Sequence, residues 1–338
     1  MHKQFRRLSI GLIPIVALVT GLTSSGISSP ISSPASAATK QVLIGISWPT
    51  LTFPFAQALK TAADTRAKLL NALTVETDAN EDVTTELNNV QGMIREKINC
   101  LMFVGAQEKA SVASIEAANK AHVPVVEFNA LTTGGQYVTF VGSVQSQSGQ
   151  LEAQWLVSEY AKLGKPAHFK VLLLHGVAGQ EQDIDRYKAY RAVLTSAGLW
   201  NKPGFTIIQQ YANFDRATAL TVTQSALEAN PDINVITAFN DDMALGALSA
   251  VQAAGKAGRV KIIGIDGEPE MLNDIKAGKT SATVFQNPEA QGAGAMQACV
   301  DYLNGKKLPK QIVIPFVLTT SSNVNKVLTI ANRVYPKS

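Results

Sequence analysis

Beyond residue 40 the apolar positions of the chain follow two alternating periods. Short continuous apolar runs at 41–47, 73–78, 100–104 and 123–128 are separated by longer stretches, 53–70, 83–97 and 110–121, in which apolar residues recur every three or four positions. The first pattern reads as strand and the second as amphipathic helix, so strand and helix are expected in strict turn. The runs lack the in-out alternation of a half-solvated sheet, which predicts parallel strands covered on both faces. After a further strand at 137–142 the alternation resumes with a helix over 149–163 and strands at 170–174, 206–210, 235–239, 261–265 and 280–286. A last helix, 290–303, precedes a strand at 312–318. More than ten strands would be unusual in one open sheet. The expected fold class is therefore α/β, with two similar Rossmann-like lobes, each built on a parallel sheet.

The first 37 residues stand outside this pattern. Lys3, Arg6 and Arg7 make a basic start, residues 8–22 form a mostly apolar run, and Ala35-Ser36-Ala37 is a small-x-small cleavage site after a Ser/Pro-rich spacer. These are the parts of a secretory signal. The apolar run is short and holds Pro14, which argues against a spanning helix. No cysteine near the cleavage site offers a lipid anchor, so the mature chain is expected to be free and exported, starting near Ala38.

Composition changes this picture little. An apolar content of 46% suits two cores, and roughly 300 mature residues correspond to two domains. Loss of the signal removes three basic residues and no acidic ones, so 30 basic and 26 acidic residues become a formal charge of about +1. With no basic cluster and no helix-turn-helix ahead of the first strand, nucleic acid is not an expected partner. Cys100 opens an apolar strand and Cys299 sits in a helix among Ala and Val. Two cysteines make no disulfide framework. Two buried thiols are expected rather than one bridge, although export would permit oxidation.

Three successive strands end in a polar residue: Asn240, Asp266 and Gln286. In an open parallel sheet the carboxyl ends of strands face the ligand crevice. An Asn or Asp before a helix is also an ordinary N-cap, and for Asn240 alone capping is the stronger reading; the threefold recurrence favours a site. Enzyme signatures are missing from the mature sequence. It holds His122, His168 and His175, but no Gly-x-Ser-x-Gly elbow, no His-Glu-x-x-His and no phosphate loop ending in Gly-Lys-Ser/Thr. Gly292-x-Gly294 falls inside a helix, so it is no dinucleotide fingerprint. Binding without catalysis, cofactor or metal is expected.

The stretch Asn240-Asp241-Asp242-Met243-Ala244-Leu245-Gly246-Ala247, then Gly264-Ile265-Asp266-Gly267 and Ala282-Thr283-Val284-Phe285-Gln286, resembles the ribose-binding and related periplasmic sugar-binding proteins. So do His175-Gly176-Val177-Ala178-Gly179 with Arg186 and Tyr190, and Asn213-Phe214-Asp215-Arg216 before Asn230-Pro231-Asp232. The resemblance runs from Ile44 to about Leu318. It implies a type I periplasmic binding protein, with residues 38–143 and 287–314 in an N-terminal lobe and 144–286 and 315–338 in a C-terminal lobe. The hinge crossings would lie near Gly142 to Gln145, at Gln286 and Asn287, and near Ile314 to Phe316.

Carried over, the ligand shell would be Arg186, Phe214, Asn240, Asp266 and Gln286 from the second lobe and hinge, with Phe55 and Asn129 from the first. Asp266 can accept from two hydroxyls, Arg186 can donate a fork, and the amides can do both. Phe55 and Phe214 would cover ring faces. An Arg-paired Asp266 would be held ionised. Each has an ordinary alternative: Arg186 on a helix surface beside Glu181 or Asp183, Asp266-Gly267 as a turn, Gln286 as the residue before a break, Phe55 in the core. The first lobe departs from the ribose pattern. Asn129-Ala130 stands where an Asp-Arg pair is usual, the loop 47–55 is longer, so that Trp48 can reach the cleft, and Ala56 and Gly105 are small. These changes favour a larger or less polar ligand than ribose. The resemblance implies a monomeric periplasmic protein that captures a monosaccharide or sugar-like molecule by hinge closure and delivers it to the inner-membrane permease of an ABC importer. The alternative is a sensor subunit presenting its ligand to a membrane receptor.

Overall fold

The continuous apolar runs become central strands and the runs with a three-to-four period become their covering helices. In this computed structural model residues 41–336 are described; the expected signal, 1–37, lies outside them. In chain order the first elements are β1 (Leu43–Trp48), α1 (Pro54–Leu69), β2 (Leu73–Asp78), α2 (Val83–Arg95), β3 (Cys100–Phe103), α3 (Val112–Lys120), β4 (Val125–Phe128) and β5 (Thr139–Gly142). Then come α4 (Gln145–Lys162), β6 (Phe169–His175), α5 (Glu181–Ser196), β7 (Phe205–Tyr211), α6 (Arg216–Ala229), β8 (Ile233–Ala238), α7 (Asp241–Ala253), β9 (Lys261–Asp266), α8 (Pro269–Lys276) and β10 (Ala282–Phe285). The chain closes with α9 (Pro288–Leu303), β11 (Gln311–Val313), β12 (Val317–Thr319) and α10 (Val324–Ala331).

Two six-stranded sheets result, ordered β11-β5-β4-β3-β1-β2 and β12-β10-β9-β8-β6-β7. All pairings are parallel except β10 with β12. In each sheet the strand order reverses once, between β1 and β3 and between β6 and β8. That switch point opens a crevice outside the carboxyl ends of the strands. Strands β3, β4, β5 and β10 are buried throughout, whereas the edge strands β2 and β7 are largely half-buried or exposed.

Three connections pass between the sheets. Helix α4 follows β5 of the first sheet and packs on α5, β9 and β10; α9 follows β10 of the second and packs on α1, β3, β4 and β5. The third connection corrects the single strand expected over 312–318. Ile314 N still donates to the Gly142 carbonyl (2.8 Å), but Pro315 has no N–H for a ladder. Phe316 N turns to Gln147 Oε1 (3.2 Å), so the run divides into β11 in one sheet and β12 in the other. Helices meet closely where one carries glycine: a Cβ at Gly149, Gly246 or Gly292 would collide with the carbonyl of Arg186, Arg216 or Leu59.

The expectation of two buried thiols is overturned. Cys100 on β3 and Cys299 on α9 form a disulfide with Cα atoms 5.9 Å apart, inside the range a bridge needs. The late helix α9 returns to the first sheet, and that return brings together residues 199 positions apart.

Candidate functional site

A cavity lies where the carboxyl ends of the two sheets face each other, with about 630 Å³ of non-atom space including its solvent-facing mouth. All eight residues singled out from the sequence, Trp48, Phe55, Asn129, Arg186, Phe214, Asn240, Asp266 and Gln286, line it. Thr50, Phe53, Gln180 and Gln182 line it too and were not singled out. The two glutamines flank the start of α5, a position that reads as surface until the lobes are placed face to face.

Asn240 serves in both readings at once. It is the N-cap of α7, Oδ1 accepting from Met243 N at 2.8 Å, while Nδ2 donates to the Phe214 carbonyl at 3.1 Å. That second bond holds a turn in which Asn213 and Phe214 both have positive φ, 53° and 57°. The Phe214 ring lies against Gly176, where a Cβ would strike it, and meets Phe53 edge-on at 6.2 Å between centroids. Asn129 and Asp266 also have positive φ, 63° and 132°. Backbone strain of this kind costs of order 1–3 kcal/mol per residue and gathers at functional sites. Three of the eleven non-glycine residues with positive φ among the described residues line the cavity.

Arg186 is not a surface residue paired with Glu181 or Asp183; it is buried. The guanidinium fork also does not point wholly at the cavity. Nε and Nη2 donate to Gln145 Oε1 (3.2 and 3.0 Å), Nη2 reaches Gln286 Oε1 (3.3 Å), and Nη1 bonds the Phe239 carbonyl. Gln145 Nε2 donates to the Asn129 carbonyl (3.0 Å), Asn129 Nδ2 to Gln291 Oε1 (3.1 Å), and Gln291 Nε2 to Ser143 Oγ (3.1 Å). These groups form one buried network across two of the three crossings. Ser143 and Gln145 fall in the hinge crossing expected near Gly142 to Gln145, but their side-chain roles, and Gln291, were not expected, because polar residues at helix starts are common.

Asp266 is the exception to this mutual satisfaction. It is 5% exposed, and among the described residues its carboxylate takes no hydrogen bond. Burial pushes its pKa well above the usual range, and Arg186 opposes that only in part. The expectation of an Arg-paired, securely ionised carboxylate is corrected: desolvation outweighs the guanidinium, whose fork is held by Gln145. Behind it, Asp241 fixes the β9–α8 turn by accepting from Gly267 N (2.7 Å), Glu268 N (2.8 Å) and Thr283 Oγ1 (2.7 Å). Burial raises Asp241 to about 6.

Outside the buried hinge network, the contacts between the two sides of the cavity run from 3.2 to 3.5 Å, among them Gln180 Nε2 with Glu81 Oε1 at 3.5 Å. Gln182 Nε2 meets Asn129 Oδ1 at 3.4 Å, Leu131 N donates to Glu181 Oε2 at 3.2 Å, and Glu108 N reaches the Gly179 carbonyl at 3.3 Å. His175 lies deeper. Its Nδ1 meets Asp183 Oδ1 at 3.0 Å and its ring packs against Tyr187, Tyr211 and Phe239, so it supports the second sheet and does not line the cavity. Among the described residues no helix is long and apolar enough to cross a membrane.

A periplasmic binding protein domain is matched over residues 44–307. The ribose import binding protein of Bacillus subtilis is 34% identical over 281 residues, 83% of this chain and 88% of the relative. The Caulobacter myo-inositol binding protein, solved with myo-inositol, superposes with a TM-score of 0.79 at 31% identity, covering 86% of this chain and 97% of that one. An ABC transporter solute binding protein from Bacillus halodurans, with bound myo-inositol, gives 0.77 at 28% identity over 86% and 98% of the two chains.

Proposed function

The chain belongs to the periplasmic binding protein family, in its type I sugar-binding branch, and from that premise we propose that it captures a monosaccharide or sugar-like polyol between two closing lobes. One observation carries the reading: a buried carboxyl, Asp266, with no hydrogen-bond partner among the described residues, in a cavity walled by Trp48, Phe53, Phe55 and Phe214. A carboxylate that needs donors beside apolar ring faces matches a molecule with hydroxyls on its rim and C–H groups on its faces.

The eight lining residues expected from the sequence form the ligand shell, in unequal roles. Asp266 receives hydroxyls, Arg186 and Gln286 offer what their hinge bonds leave free, and the aromatic rings cover the faces. Asn240 and Asn129 act mainly by holding the turns that shape the cavity. The lobes comprise 38–143 with 287–314, and 144–286 with 315–338. The split of β11 and β12 between sheets supports that division. A ligand touching both lobes supplies a difference in free energy between the open and closed forms, which closure requires. The exported, monomeric chain would then present its closed surface to the permease of an ABC importer, in keeping with relatives named as import and transporter binding proteins.

The test is thermal shift of the purified mature chain against pentoses, hexoses, polyols and furanose analogues, with hits confirmed by calorimetry. A ligand that binds only the native state at about 100 times its Kd stabilises it by about 2.7 kcal/mol. One sugar or polyol is expected to do so. A panel without any response would overturn the sugar-binding reading.

A further inference from the structure

The cavity is polar mainly on its second-lobe side. On the second-lobe side Asp266 has a carboxylate free of protein partners among the described residues. On the first-lobe side most polar side-chain groups are bonded within the protein. Trp48 Nε1 donates to Glu76 Oε2 at 2.9 Å. Thr50 Oγ1 pairs with Thr52 Oγ1 at 2.9 Å and accepts from Thr52 N at 3.3 Å. Asn129 has Nδ2 on Gln291 and Oδ1 under Gln182. The rest of that wall is carbon, from Phe53, Phe55, Ala56, Leu59 and Val104.

A hydroxyl pressed against the carbon part of this wall would leave water and meet no side-chain acceptor there, whereas a C–H or methyl group gives up nothing. The opposite orientation fails on the other side, because an apolar edge there would leave the buried Asp266 carboxyl without a hydrogen-bond partner. Building on the sugar-binding reading, we propose that the ligand is a small sugar or polyol with one deoxygenated or O-methylated edge, that edge seated on the first-lobe wall and its hydroxylated edge on Asp266. Specificity against fully hydroxylated sugars then resides in Ala56 and Val104, the smaller carbon groups of the wall.

An apolar wall rejects an added hydroxyl by about 10²-fold at most. Calorimetry on the purified chain with paired probes reads this directly: D-galactose against 6-deoxy-D-galactose, L-mannose against L-rhamnose, D-ribose against 5-deoxy-D-ribose, and myo-inositol against its mono-O-methyl ether. In the pair that binds best, the deoxy or methyl member should bind about ten- to hundredfold tighter. Val104→Thr, which places a hydroxyl on the wall at unchanged shape, should narrow that ratio, and Ala56→Ser at the first turn of α1 tests the same point without touching a strand. Equal or tighter binding of the fully hydroxylated member overturns the inference and leaves sugar binding standing, as does a ratio unmoved by both variants. Failure of every probe in every pair to bind overturns the sugar-binding reading, and this inference with it.

Discussion

Replacing Asp266 by Asn should stabilise the ligand-free protein and weaken its binding together. The carboxyl is 5% exposed, takes no hydrogen bond from the described residues, and sits at a φ of 132°. Its folded pKa lies well above the usual 3.8 because of burial. A group whose folded pKa is raised contributes stability that is fully present below the unfolded value and lost as pH rises through the folded one. At pH 7 the parent therefore carries the cost of burying this titrating group, and Asp266→Asn removes it at almost unchanged shape. A buried polar group without a partner costs about 1–3 kcal/mol, more when charged. The variant should gain at least the lower end of that range, which for a lobe of this size is about 2–4 °C in Tm per kcal/mol. The gain should shrink as pH falls toward 4. Hydrogen bonds to charged groups contribute about 1.5–3 kcal/mol each, so the loss of one lowers affinity for the sugar found in the panel by about ten- to 150-fold. Denaturant melts at pH 5 and pH 7 with calorimetry on both proteins read the two effects. A variant less stable than its parent at pH 7, or one that binds as tightly, would refute the reasoning.

Three further perturbations probe the same geometry. Removing the disulfide with the pair Cys100→Ala and Cys299→Ala releases a closed loop of 199 residues, for which loop-closure entropy sets a stability loss of up to about 5 kcal/mol; urea melts measure it, and the unreduced, denatured parent should take up no thiol label. Glu181 accepts from Leu131 N between the lobes, and burial raises its pKa from 4.5 to about 8. Its contribution to the closed form is complete below 4.5 and lost as pH rises through about 8, so Glu181→Gln should flatten a decline in affinity across that window, read by calorimetry at several pH values. Gly176→Ala would drive a Cβ into the Phe214 ring. Loss of that aromatic contact, about 0.5–1.5 kcal/mol, should weaken binding roughly two- to tenfold in the same assay.

The alternation of strands and helices was readable along the chain because hydrophobic period is a local property: a continuous run such as Cys100–Phe103 and a periodic one such as Pro54–Leu69 declare themselves without reference to the rest. Asn240, Asp266 and Gln286 were readable for the same reason, since a strand's carboxyl end is defined by its own residues, and the doubly wound sheet sends those ends to one crevice. Helix α4 begins at Gln145, ahead of the expected start at 149, because its first turn, Gln145-Ser146-Gln147-Ser148, carries no apolar period and is held by hinge contacts. What each polar side chain does there was decided by the tertiary structure alone. Arg186 looks equally able to grip a ligand or a surface carboxylate until Gln145 and Gln286, 41 and 100 positions away, take up its N–H groups. Cys100 and Cys299 look like two separate core thiols until α9 returns to the first sheet. Asp266 looks like an ordinary turn residue until the fork of Arg186 is found turned mostly to Gln145, Gln286 and the Phe239 carbonyl. Residue type and period are set by the chain within a few positions, whereas hydrogen-bond satisfaction is a global count that closes only when distant segments are packed together.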